Sequence, residues 1–120
     1  MKARFTENSI RLRVRKSDVD QLASSGSVST ALDFPNRSLR FQLQLEAVEE
    51  PSAWFDGATL NVSLPMATGR KWIESDQVGI EHHQAAEGGS PLHILVEKDF
   101  PCAHQPQEDK SDTFEELSEQ

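Results

Sequence analysis

A gapless self-similarity at an offset of 50 residues runs through this chain and limits the folds open to it. Laid over residues 53–78, residues 3–28 place Ala3 on Ala53 and Phe5 on Phe55, then Ile10, Leu12 and Val14 on Leu60, Val62 and Leu64, and Leu22 on Trp72. At an offset of 53, Leu39, Phe41 and Leu43 fall on Leu92, Ile94 and Val96. The match is one of apolar pattern rather than identity, with Arg15 over Pro65 and Val19 over Gly69 as departures. A pattern that returns in this way predicts two copies of one supersecondary unit, spanning about 3–50 and 53–100.

Each unit reads alike when period is converted into structure. Ile10-Arg11-Leu12-Arg13-Val14-Arg15 alternates strictly, as a half-buried strand does. Ser17 then stands as a helix N-cap with Asp20 three residues on, followed by Val19, Leu22 and Ala23 at helical spacing and Gly26 as a terminator. In the second unit Pro65 suits a first helical turn, and Met66, Trp72 and Ile73 form the apolar stripe. Two strands follow each helix, near 28–32 and 39–45 and near 78–82 and 92–96. They are divided by Pro35-Asn36 in one unit and by Gly88-Gly89 and Pro91 in the other. With short strands near 2–5 and 53–55, the expectation is an α+β fold. It has about eight strands in a strongly curved or barrel-like antiparallel sheet, with two helices on its apolar face.

A chain of 120 residues with 36% hydrophobic residues can bury a core as one domain, here placed at 1–104. Residues 105–120 hold Phe114 and Leu117 among acids, Gln and Ser, and read as an acidic disordered tail. The single cysteine, the arginines near the start and the absence of a long apolar run point to a soluble cytoplasmic protein with no membrane span. The net charge of −8 divides into +1 over residues 1–50, −4 over 51–100 and −5 over 101–120. So acidic a chain gains little from counterion release, which disfavours nucleic acid as a partner.

With Asn8-Ser9-Ile10-Arg11-Leu12-Arg13, the Ser17-x-Val19 helix start and the closing Val96-Glu97-Lys98-Asp99-Phe100-x-Cys102, the chain resembles a small bacterial protein family whose members are uncharacterised. The likeness covers roughly residues 1–112 and implies no activity. In element order the chain is also similar to the CYTH-type triphosphate tunnel fold, two strand-helix-strand repeats closed into an eight-stranded barrel. That family opens with Glu-x-Glu-x-Lys, whose carboxylates hold catalytic metal ions; the corresponding strand here reads Lys2-Ala3-Arg4-Phe5-Thr6. The resemblance therefore supports a topology and not a transferred activity.

Among residues able to do chemistry, Arg11, Arg13 and Arg15 stand out, because alternation puts all three on one strand face about 7 Å apart. Guanidinium groups bind carboxylate and phosphate bidentately, so the row, helped by Arg37 or Arg40, is a candidate site for an anionic small molecule or an acidic peptide. The competing reading is a solvated face whose arginines pair with Glu46, Glu97 or Asp99. His82, His83, His93, Cys102 and His104 lie within 23 positions, but Cys102-x-His104 and adjacent His82 and His83 lack zinc-ligand spacing. No cofactor is implied. Gly-rich phosphate loops, GxSxG and HExxH are absent from the sequence, and Trp54 and Trp72 read as core. The leading expectation is a non-catalytic binding module. The alternatives are a tunnel-type phosphohydrolase with displaced metal ligands and a regulatory protein acting through its tail.

Overall fold

The computed structural model describes residues 1–99. In chain order the elements are β1 (Lys2–Thr6), β2 (Ser9–Val14), α1 (Lys16–Ser25), β3 (Ser27–Asp33), β4 (Ser38–Glu46), β5 (Ser52–Phe55), β6 (Thr59–Pro65), α2 (Met66–Glu74), β7 (Gly79–Gln84) and β8 (Leu92–Lys98). The α+β class and the two-helix, eight-strand composition match the sequence reading.

The sheet arrangement differs from it. The strands form two four-stranded sheets, ordered β1-β2-β8-β7 and β3-β4-β6-β5, rather than one barrel-like sheet. Each sheet joins a hairpin from one half of the chain to a hairpin from the other, and the joints β2–β8 and β4–β6 are parallel, so the sheets are mixed rather than antiparallel. Ser9 stands opposite His93 in the first joint. Thr59, fifty positions after Ser9, stands opposite Arg40, fifty-three positions before His93, in the second.

Alternation decides what each sheet buries. Ile10, Leu12, Val14, Ile80, Ile94 and Val96 from one sheet and Val28, Leu43, Leu45, Ala53, Val62 and Leu64 from the other join Leu22 of α1 and Trp72 of α2 in a single core. Trp72 has no exposed surface, and its indole N–H donates to the Val78 carbonyl at 3.0 Å, so its one polar atom is satisfied. Gly26 ends α1 with φ 85°, a left-handed residue whose N–H returns to the Leu22 carbonyl.

Three local expectations are corrected. The N-cap of α1 is Arg15, not Ser17, because Asp18 rather than Asp20 accepts the Arg15 backbone N–H, at 2.9 Å. Met66, the first residue of α2, is half exposed, and the helix buries Gly69 and Trp72 instead. Trp54 is also half exposed: β5 lends Ala53 to the core, and alternation sends its neighbour to the other face. No helix among the described residues is long and apolar enough to cross a membrane. Cys102, His104, Phe114 and Leu117, and the boundary drawn at residue 104, lie outside the described residues.

Candidate functional site

The outer face of the β1-β2-β8-β7 sheet carries the chemistry. On β2 the residues Ser9, Arg11 and Arg13 alternate with the buried Ile10, Leu12 and Val14. Register then places Arg4 opposite Arg11 and Lys2 opposite Arg13 on β1, with Glu97 opposite Arg13 on β8. Lys2, Ala3, Arg4, Arg11 and Arg13 line a concavity of about 210 Å³.

Two carboxylates bound this basic patch. Glu97, only 9% exposed, takes Arg11 Nε at 2.7 Å and Nη2 at 2.5 Å on its Oε1, and Arg13 Nε stands 3.3 Å from the same oxygen. Asp99 meets Lys2 Nζ at 3.0 Å and Arg13 Nη2 at 3.7 Å. The Lys2 hydrogen bond, aided by the charges of Arg13 and Arg15, holds the Asp99 carboxyl below its ordinary value against partial desolvation. Gly79 faces Glu97 across the β7–β8 pair; a Cβ there would stand 3.1 Å from the Val96 carbonyl oxygen and 3.2 Å from Glu97 Cβ. A glycine at that position gives Glu97 room beneath its two arginines.

Of the residues singled out from sequence, the structure brings together Arg11 and Arg13 and adds Lys2 and Arg4. Arg15 stands one residue past the end of β2 as the extended N-cap of α1; it does not line the concavity, although its charge reaches Asp99. Arg40 belongs to the other sheet, where its Nη1 is 3.4 Å from Ser29 Oγ, and Arg37 Nη2 donates to the Gly57 carbonyl. Neither joins the patch. Of the acids considered as partners, Glu97 and Asp99 pair with the row, while Glu46 accepts from Ser63 on the other sheet. Lys2 and Arg4 escape sequence reasoning because their role depends on β1 pairing with β2 in this register; the two-residue turn Glu7-Asn8 between apolar alternations is the signal for it.

Among the described residues the histidines are His82, His83 and His93, and they are divided between two sheet faces. His82 turns toward the inner face, with Nε2 3.8 Å from Glu50, while His83 stacks on His93 with ring centroids 4.7 Å apart. His93 lies between Ser9 Oγ, 3.3 Å from Nδ1, and Glu81 Oε2, 2.7 Å from Nε2. Among the described residues no group of three His, Cys, Asp or Glu side chains stands where it could hold a metal ion.

Fold and site together define a small α+β protein of two mixed sheets with a basic concavity on one outer face. The sequence profile of DUF7009, a family of unknown function, matches residues 1–118, and the chain belongs to that family. No curated protein and no solved structure matches it.

Proposed function

We propose that the protein is a binding module for small anions of the phosphate or carboxylate class, held in the concavity of Lys2, Arg4, Arg11 and Arg13. The observation that carries this reading is the charge balance of the patch. Four cations line it against the two carboxylates Glu97 and Asp99, and the Arg4 guanidinium has no ion pair or hydrogen bond among the described residues. A surplus of about two positive charges on a chain of net charge −8 is a local reversal of field, and it favours a dianion over the bulk acidic surface. Guanidinium groups on neighbouring strands offer the paired N–H donors that such oxyanions accept.

The tunnel-type phosphohydrolase draws less support: both carboxylates near the arginines are already engaged by them, and the sheets do not close into a barrel. We read the architecture as a duplication, which the matching registers of the two parallel joints support, and the basic site as a property of one copy. In the second unit Arg11, Arg13 and Arg15 have Asn61, Ser63 and Pro65 as counterparts.

The test is thermal unfolding with added phosphate or triphosphate against chloride of equal ionic strength. An anion bound only by the native state adds RT ln(1 + [L]/Kd), about 2.7 kcal/mol at a hundred times Kd. Arg4→Gln should abolish most of the shift, and Arg40→Gln, in the other sheet, should leave it intact. A shift no larger than that of chloride, or one that survives Arg4→Gln, would falsify the reading.

A further inference from the structure

We propose that Ser9 is a nucleophile, activated by His93 and held ready by Glu81, and that this group of residues transfers acyl groups from small carboxylic esters to water. The inference is independent of the anion site, although both lie on the same sheet face.

Geometry assigns the roles. The Glu81 carboxylate can only accept, so its 2.7 Å contact puts the proton of a neutral His93 ring on Nε2. Nδ1 then holds the lone pair, and the Ser9 hydroxyl 3.3 Å away is the donor it faces. A hydroxyl, an imidazole and an orienting carboxylate in sequence are the arrangement that nucleophilic catalysis requires. The three come from three strands, β2, β8 and β7, and no local motif predicts them.

The support is rigid. Ser9 and His93 are register partners on the two central strands of the sheet, and the His83 ring stacked at 17° on His93 limits its rotation. Asn8, with φ 59°, donates from its side chain to the carbonyls of Ser90 and Pro91 at 2.9 and 2.6 Å and accepts the His93 backbone N–H at 3.0 Å. The turn before Ser9 and the loop before His93 are thereby tied together. Glu7 and Asn8 of the turn that precedes Ser9, with Ser90 of the loop that precedes His93, line a concavity of about 440 Å³, a volume that holds a small acyl group.

In the reaction, Ser9 Oγ bonds to the carbonyl carbon as its proton passes to His93 Nδ1, and the carbonyl π pair moves onto oxygen. Collapse of that intermediate breaks the bond to the alkoxide, which leaves with the proton from Nδ1. Water then gives a proton to Nδ1 and attacks the acyl-serine, and Ser9 departs reprotonated, so ester and water become acid and alcohol.

The experiment uses p-nitrophenyl acetate with the full chain, following p-nitrophenolate release and mapping the acetyl group by peptide mass spectrometry. The expected result is an acetyl adduct on Ser9, lost in Ser9→Ala. His93→Gln should slow its formation by about 100-fold or more, the usual range for a positioned general base. Glu81→Gln, a positioning change, should lower kcat with little effect on KM. Labelling of the unaltered protein by phenylmethanesulfonyl fluoride, mapped to Ser9, gives the same answer without depending on any variant's folding. The proposal fails if the sulfonyl label does not appear on Ser9. It fails equally if Ser9→Ala hydrolyses the ester at the original rate, which would mean that the imidazoles act alone.

Discussion

Gln84 hydrogen-bonds the backbone of Ala53 through both ends of its side-chain amide: its Oε1 accepts the Ala53 N–H at 2.6 Å and its Nε2 donates to the Ala53 carbonyl at 3.0 Å. Gln84 ends β7 in one sheet and Ala53 lies in β5 of the other, so a side chain does between sheets what a ladder does within one. Two backbone groups on an edge strand that would otherwise need water are satisfied by a residue 31 positions away.

Replacing Gln84 by Ala should therefore cost about 1–3 kcal/mol, since both Ala53 groups lose their partner beside a side chain that is 6% exposed. Urea unfolding measures it, and a loss of stability at unchanged slope is the expected result. Gln84→Glu, which keeps the acceptor and loses the donor, should fall between Ala and the original.

Glu97→Gln removes the carboxylate shared by Arg11 and Arg13 while keeping its size. Taking the counter-charge from the half-buried Arg11, and leaving Arg13 with Asp99 as its acidic neighbour, should destabilise the fold by about 1–3 kcal/mol. The same change adds one positive charge to the basic concavity, so triphosphate should bind more tightly to this variant than to the original protein. Opposite signs for stability and for ligand-induced stabilisation, read from one set of melting curves, are the signature to look for.

Asp99 sets an acid limit. Its folded pKa lies below the ordinary 3.8 because the carboxylate accepts from Lys2 and feels Arg13 and Arg15. A depressed folded value means stability that is present above the unfolded pKa and is lost as pH falls through the folded one. Melting temperature should thus be level down to about pH 4 and fall below it, and Asp99→Asn should reduce the slope in that window. Asp56, whose carboxylate accepts the N–H groups of Thr59 and Ala58 in the β5–β6 turn, is likewise held low and contributes with the same sign.

Local period in the sequence was enough for the order of the elements and for the buried faces of β2, α1 and α2, though not for Trp54 or Met66. Strict alternation from Ile10 to Val14 and the helical stripe of Leu22 and Trp72 are local signals, because side-chain direction follows backbone period whatever the partner. Arg11 and Arg13 were legible for the same reason, as were Glu97 and Asp99 among their candidate partners. Which strand meets which was settled by long-range packing. Alternation says that Ser9 faces outward, but not that β8 lies beside β2 with His93 in register, since parallel pairing joins residues more than eighty positions apart through interactions that no local pattern encodes. Arg15 continues the alternation but lies past the end of β2, at the N-cap of α1 and outside the lining of the concavity. Lys2 and Arg4 enter it because a hairpin folds them across.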